Sequence, residues 1–256
     1  MSKRTRFVIT SLILSFGFIG VQFLNDQNRF WAIGILGLLT FALFLWSLFE
    51  SLGRNMTLLT LVLPVMYTLG VGFFWFLLPA NIFARIPIVL FYGIGIYILC
   101  LTANIYSVAS VRTIALLRAA RGVGFVLTLV ASFLVFDAIL SIRTEIYYLV
   151  TAVFVLSFPL YLQGFWSMVL DKEYSGELMK LSLISSLITA ELSAALYFWP
   201  TTIVVGSLFL TASFYMLLGL GQAKLEERLF KSTIREHLLV GALIFAAMFI
   251  ATHWGA

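Results

Sequence analysis

Charged side chains are scarce in this sequence, and cysteine and histidine are scarcer still. Charged residues make up 11% of the 256 residues, against about 25% in an ordinary soluble domain. That shortage excludes a soluble globular protein of this length. A single cysteine, Cys100, rules out an internal disulfide, and its place within an apolar run gives no reading of redox compartment. His237 and His253 are the only two histidines. On one continuous helix they stand about 24 Å apart and cannot share a metal. The sequence also lacks a glycine-rich phosphate loop, a nucleophile elbow, a magnesium-holding aspartate pair and an HExxH motif. No catalytic residue, metal or cofactor is expected, and an enzyme acting on a lipid-linked substrate ranks only third among the readings.

What fills the chain instead is apolar: hydrophobic residues reach 62% and the mean hydropathy is +1.08. Windows long enough to cross about 30 Å of hydrocarbon fall at 7–24, 30–49, 56–78, 88–109, 123–142, 146–170, 181–199, 201–221 and 238–254. The fold class expected is all-α, a polytopic transmembrane bundle of about nine spans forming one integral-membrane domain over 1–256. The opening MSKRTR followed by an apolar run resembles a signal peptide, but the run exceeds the ~7–15 residues of a secretory core and reads as a retained first span.

The net charge of +5 belongs to short links between apolar runs, so it reads as membrane topology, not nucleic-acid binding. With the N-terminus in the cytoplasm and the C-terminus outside, only Arg29, Arg85 and Arg143 of the 16 lysines and arginines fall on the outer side. This bias supports the nine-span threading, because one merged or missed span would scramble it. A bacterial inner membrane is the expected location. Trp31, Trp199 and Trp254 lie near the proposed outer ends, where amphipathic rings settle. Paired small residues, such as Gly70 with Gly72 and Gly219 with Gly221, predict close helix contacts where lipid gives no hydrophobic drive for association.

Few polar groups sit inside the spans, and each demands an account. Glu191 lies near the middle of the seventh. Asp137 lies about five residues from the outer end of the fifth, within reach of headgroups. Asn104, in the inner half of the fourth, suits an interhelical hydrogen bond. Pro64 and Pro159 each free a backbone carbonyl within a span, and Gln163 follows Pro159 by one helical turn. At 100° per residue, Ser182, Ser185, Ser186, Thr189 and Ser193 share one face of the seventh helix and Glu191 the other. A helix with demands on both faces is expected at the centre of the bundle.

In the links, Arg112, Arg118 and Arg121 form a basic turn suited to anionic lipid headgroups at the inner face. The segment 223–237 reads as a charged surface helix with an i, i+4 pair of Glu227 and Lys231. It and the small-residue helix faces are the candidate contacts for a protein partner. Asp171, Glu173 and Glu177 read as solvated link charges. The leading functional reading is a transporter or permease for a small solute, proton-linked through Glu191. The alternative is a non-transporting scaffold or complex-assembly component.

Overall fold

The computed structural model describes residues 2–21, 23–49, 58–77, 82–109, 115–170 and 176–252. Nine α-helices occur among the described residues: α1 (Lys3–Val21), α2 (Asp26–Leu48), α3 (Leu59–Phe74), α4 (Ile82–Ala109), α5 (Leu117–Ser141), α6 (Ile146–Val169), α7 (Gly176–Tyr197), α8 (Ile203–Leu225) and α9 (Lys231–Ala251). Eight of them are long and apolar enough to cross a membrane. The exception is α3, with 16 residues. A 3-10 turn over Trp75–Leu77 extends it, bringing the rise to about 30 Å. Helix α4 starts earlier than the 88–109 window, so Pro87 also falls inside a helix. Its position in the second turn lies past the unpaired N–H groups of the helix start, so it removes one intrahelical bond.

The chain divides into two compact units, Met1–Ala131 and Ser132–Ala256. In the first, α3 supplies the core: Leu61, Leu63, Tyr67, Thr68 and Val71 are all buried. Hydroxyls tie its neighbours to it. Thr68 Oγ1 lies 3.1 Å from Thr40 Oγ1 of α2 and 3.2 Å from the Tyr92 hydroxyl of α4. Ser11 of α1 donates to the Gly93 carbonyl of α4 at 2.6 Å. That approach needs a glycine, since a Cβ at Gly93 would sit 2.6 Å from Ser15 Oγ. Most of the paired small residues meet neighbouring side chains this way, but Gly20 and Gly34 face open space.

In the second unit α6 carries the longest continuous buried stretch. Every residue from Leu160 to Trp166 is buried, and α7 and α8 both pack on α6. Tyr161 anchors the contact, its hydroxyl 2.8 Å from Thr189 Oγ1 of α7 and its ring stacked 4.1 Å from Phe214 of α8. Gln222 of α8 donates from Nε2 to the Gly164 carbonyl at 3.0 Å. Threading within this unit alternates as the charge bias predicts. Glu177 at the start of α7 pairs with Lys224 at the end of α8 at 3.5 Å. At the opposite end, Trp199 Nε1 donates to Thr252 Oγ1 beyond α9 at 2.9 Å.

The 223–237 link is not one surface helix. α8 runs on to Leu225, and α9 begins at Lys231. Between them Glu227 adopts φ 56, while the Arg228 N–H bonds the Ala223 carbonyl at 2.8 Å and the Glu227 N–H bonds the Lys224 carbonyl at 3.1 Å. This is a Schellman C-cap. It takes Glu227 out of helical register with Lys231, and the ion pair formed in the turn is Arg228 with Glu226 at 3.6 Å.

Candidate functional site

Helix α7 has the two faces that its sequence spacing separates, but its neighbours use only one. Ser182, Ser185, Ser186, Thr189 and Ser193 are all buried. Ser182, Ser186, Thr189 and Ser193 donate to carbonyls three or four residues earlier on α7, which leaves their small side chains to form a smooth seam against α6. The opposite face is open. Glu191 is exposed, as are Ile184 at 54% and Leu187 at 50%. The demands on both faces expected to place α7 at the centre are therefore not both met: α6 takes the Ser/Thr seam, and no described residue of this unit buries the acidic face.

The depth of Glu191 makes that exposure significant. It lies eleven residues beyond exposed Lys180 and six before the last helical residue, Tyr197. Those intervals amount to about 16 and 9 Å of helix rise, which sets Glu191 inside the apolar length of α7, toward its outer end. Around it the surface is spaced like a helix-pairing seam. Ile184, Leu187, Glu191, Ala194 and Phe198 follow one another at intervals of three and four residues, the spacing that keeps a stripe facing a second helix.

Asp137 behaves in the opposite way. It is 4% exposed on α5 and accepts a hydrogen bond from Ser207 Oγ of α8 at 3.0 Å. Asp137 and Glu191 thus serve different surroundings, one turned to α8 and one outward. One turn above Asp137 opens a cavity of about 600 Å³. Its rim comes from two links, with Arg143 and Thr144 after α5 and Thr201 and Thr202 before α8. Leu140, Leu149, Leu196 and Gly206 supply an apolar floor, and Tyr197 and Trp199 line it as well. The sequence reading missed this site. Its one available signal was Arg143, an exception to the charge bias.

Among the other candidates, Gln163 is buried in α6 and Asn104 is half-buried on α4, its carbonyl accepting from Ser107 Oγ at 2.8 Å. Arg118 is exposed and Arg121 half-buried in the first turns of α5. Arg112 lies outside the described residues, as do Asp171, Glu173, His253 and Trp254. His237 is a packing residue of α9, with Nδ1 2.8 Å from the Thr233 carbonyl and its ring stacked on Tyr215 of α8 at 6.0 Å.

Long apolar helices, joined by short links and tied together by hydroxyls and small residues, define a polytopic helical membrane protein. The chain belongs to the family described as "protein of unknown function (DUF5656)", whose model matches residues 9–251. No curated protein and no solved structure matches it.

Proposed function

We propose that this protein is a non-transporting membrane component that assembles with a second copy of itself through the Glu191 face of α7. The observation that carries the reading is the exposure of Glu191 within the apolar length of α7. A lipid-facing carboxyl at that depth costs several kcal/mol unless something covers it. The cover must itself be membrane-embedded, since Ile184 and Leu187 beside it are apolar and exposed. A solute-transport role through Glu191 would need the carboxyl on an aqueous path; an outward apolar stripe supports assembly instead.

The choice of a second copy rests on the stripe. Its three-four spacing places a single polar residue at the kind of inward seam position that fixes register and oligomer state in paired helices. Around a two-fold axis along the membrane normal, two parallel α7 helices bring Glu191 to Glu191 at the same depth. The same side chain at the same depth on both copies makes the contact self-complementary. Ala194 on the same stripe lets the backbones approach. The membrane that fits the charge bias is a bacterial inner membrane with the N-terminus in the cytoplasm. There Arg118 and Arg121 at the start of α5 meet anionic headgroups.

Cross-linking tests the geometry. In a Cys100→Ser background, Leu187→Cys and Ala194→Cys are expected to form disulfide-linked dimers in native membranes. Val155→Cys, exposed on α6, is expected to give none. Adding Glu191→Leu should weaken the dimer roughly 3- to 30-fold, the equivalent of one interhelical polar contact in a membrane. Glu191→Gln, which donates and accepts, should keep it. Equal cross-linking at Leu187 and Val155 would contradict the interface.

A further inference from the structure

The cavity above Asp137 is independent of the Glu191 face. We infer that it is a binding site for a phosphate-bearing amphiphile, with the phosphate at Arg143 and the apolar part on the floor beneath.

Three observations converge on this chemistry. First, the cavity's volume of about 600 Å³ lies within the ~300–1,000 Å³ typical of small-molecule sites. Its lining combines one cation, three threonine hydroxyls and an apolar floor, which is the composition of an amphiphile site and not of a purely aqueous one. Second, every lining residue belongs to the α5–α6 link, the α7–α8 link or the adjoining helical turns. The cavity therefore opens at the headgroup level, where Tyr197 and Trp199 form the aromatic part of its wall. Third, its charge is of one sign. Arg143 is exposed and has no ion pair among the described residues, and Glu145, two residues on, does not line the cavity.

Local backbone structure holds the cation in place. Arg143 adopts φ 48, a left-handed conformation that a residue with a Cβ disfavours and that its surroundings must enforce. Across the cavity, Thr202 caps α8 by accepting from the Val205 N–H at 3.4 Å. The positive end of the α8 dipole thus faces the same space and adds to the attraction for an anion. Below, Gly206 keeps the floor open, because a Cβ there would stand 3.2 Å from Leu140 Cδ1 and 3.6 Å from Thr201 Oγ1. An arginine on the side opposite the basic links runs against the topological charge bias, and a bound phosphate ester explains its position.

A lipid headgroup and a free phosphate offer the same anion, and the apolar floor favours the lipid. The test is binding to the purified full chain in detergent, followed by native mass spectrometry. The probes are dihexanoyl phosphatidylglycerol, dihexanoylglycerol, glycerol phosphate and inorganic phosphate. One phosphatidylglycerol per chain is expected, with each of the other three at least about tenfold weaker. Arg143→Gln should lose about tenfold in affinity for the phosphatidylglycerol, and Arg143→Lys should recover most of it. Arg228→Gln, which removes an exposed cation at the other end of α8, should change nothing. Thermal unfolding of each variant is recorded alongside, and Arg143 variants that unfold with the wild type keep the comparison valid. Undiminished binding by Arg143→Gln, binding of inorganic phosphate as tight as that of the lipid, or no binding of the lipid would each overturn the assignment.

Discussion

Replacing Tyr161 by alanine is expected to destabilise the second unit by about 3 kcal/mol, the lower end of the range for deleting a buried aromatic ring. The lower end applies because lipid is as apolar as the helix interface. The transfer contribution that operates in water is small here, and lost contact and cavity formation dominate. Tyr161 is fully buried and touches both partners of α6, through its hydroxyl to Thr189 and its ring to Phe214 and Phe165. Tyr161→Phe separates the two contributions. It keeps the ring and removes only the hydrogen bond to Thr189, which should cost about 0.6 kcal/mol, the average for such bonds between membrane helices. Unfolding by sodium dodecyl sulfate in mixed micelles measures both variants. If Tyr161→Phe proved as damaging as Tyr161→Ala, packing would not be the main role of this residue.

The second large effect is expected at Gly221 of α8. A Cβ there would overlap the ring of Phe165, which is fully buried on α6. The ring has little room to retreat, because Tyr161 stacks beside it at 5.8 Å. Gly221→Ala should therefore cost about 1–3 kcal/mol as an overpacked contact, and Gly221→Leu should cost more by forcing α8 off α6. The two sites are coupled. Removing the Tyr161 ring gives Phe165 space to move, so the double variant Tyr161→Ala with Gly221→Ala should be less destabilised than the two single losses together, by about 0.5–3 kcal/mol. Strict additivity in the same unfolding assay would show that Phe165 does not transmit the clash.

Particular residues show how far the sequence reveals this architecture. Helices, links and alternation of threading are legible because a bilayer leaves the backbone few alternatives, and apolar length alone marks a span. The Ser/Thr seam of α7 is legible for a related reason. Five small polar residues at helical spacing fall on one face, and all five are buried. That same periodicity separates Glu191 from the seam without saying which face a neighbour will take. Both faces call for a partner, and among the described residues of this unit only the seam has one, on α6.

Other features leave almost no local trace. The break in the 223–237 segment depends on Glu227 adopting a left-handed conformation, which glutamate does not advertise as glycine or asparagine would. The cavity is assembled from two links about sixty residues apart in sequence. No local pattern announces such a site, and Arg143 stands out only once the other basic residues have been assigned to the opposite side. Asp137 is the intermediate case. Its place in a span marked it as demanding a partner, but its order in the chain could not name Ser207 of α8 as the donor.

The account depends most on Glu191 being covered by a second copy of α7. The direct measurement is the mass of the assembled protein in lipid nanodiscs, by single-particle mass photometry or native mass spectrometry, for wild type, Glu191→Gln and Glu191→Leu. The account predicts a dimer for wild type and Glu191→Gln, and a shift toward monomer for Glu191→Leu at equal thermal stability. A monomeric wild type, or a Glu191→Leu variant as dimeric as wild type, would contradict it.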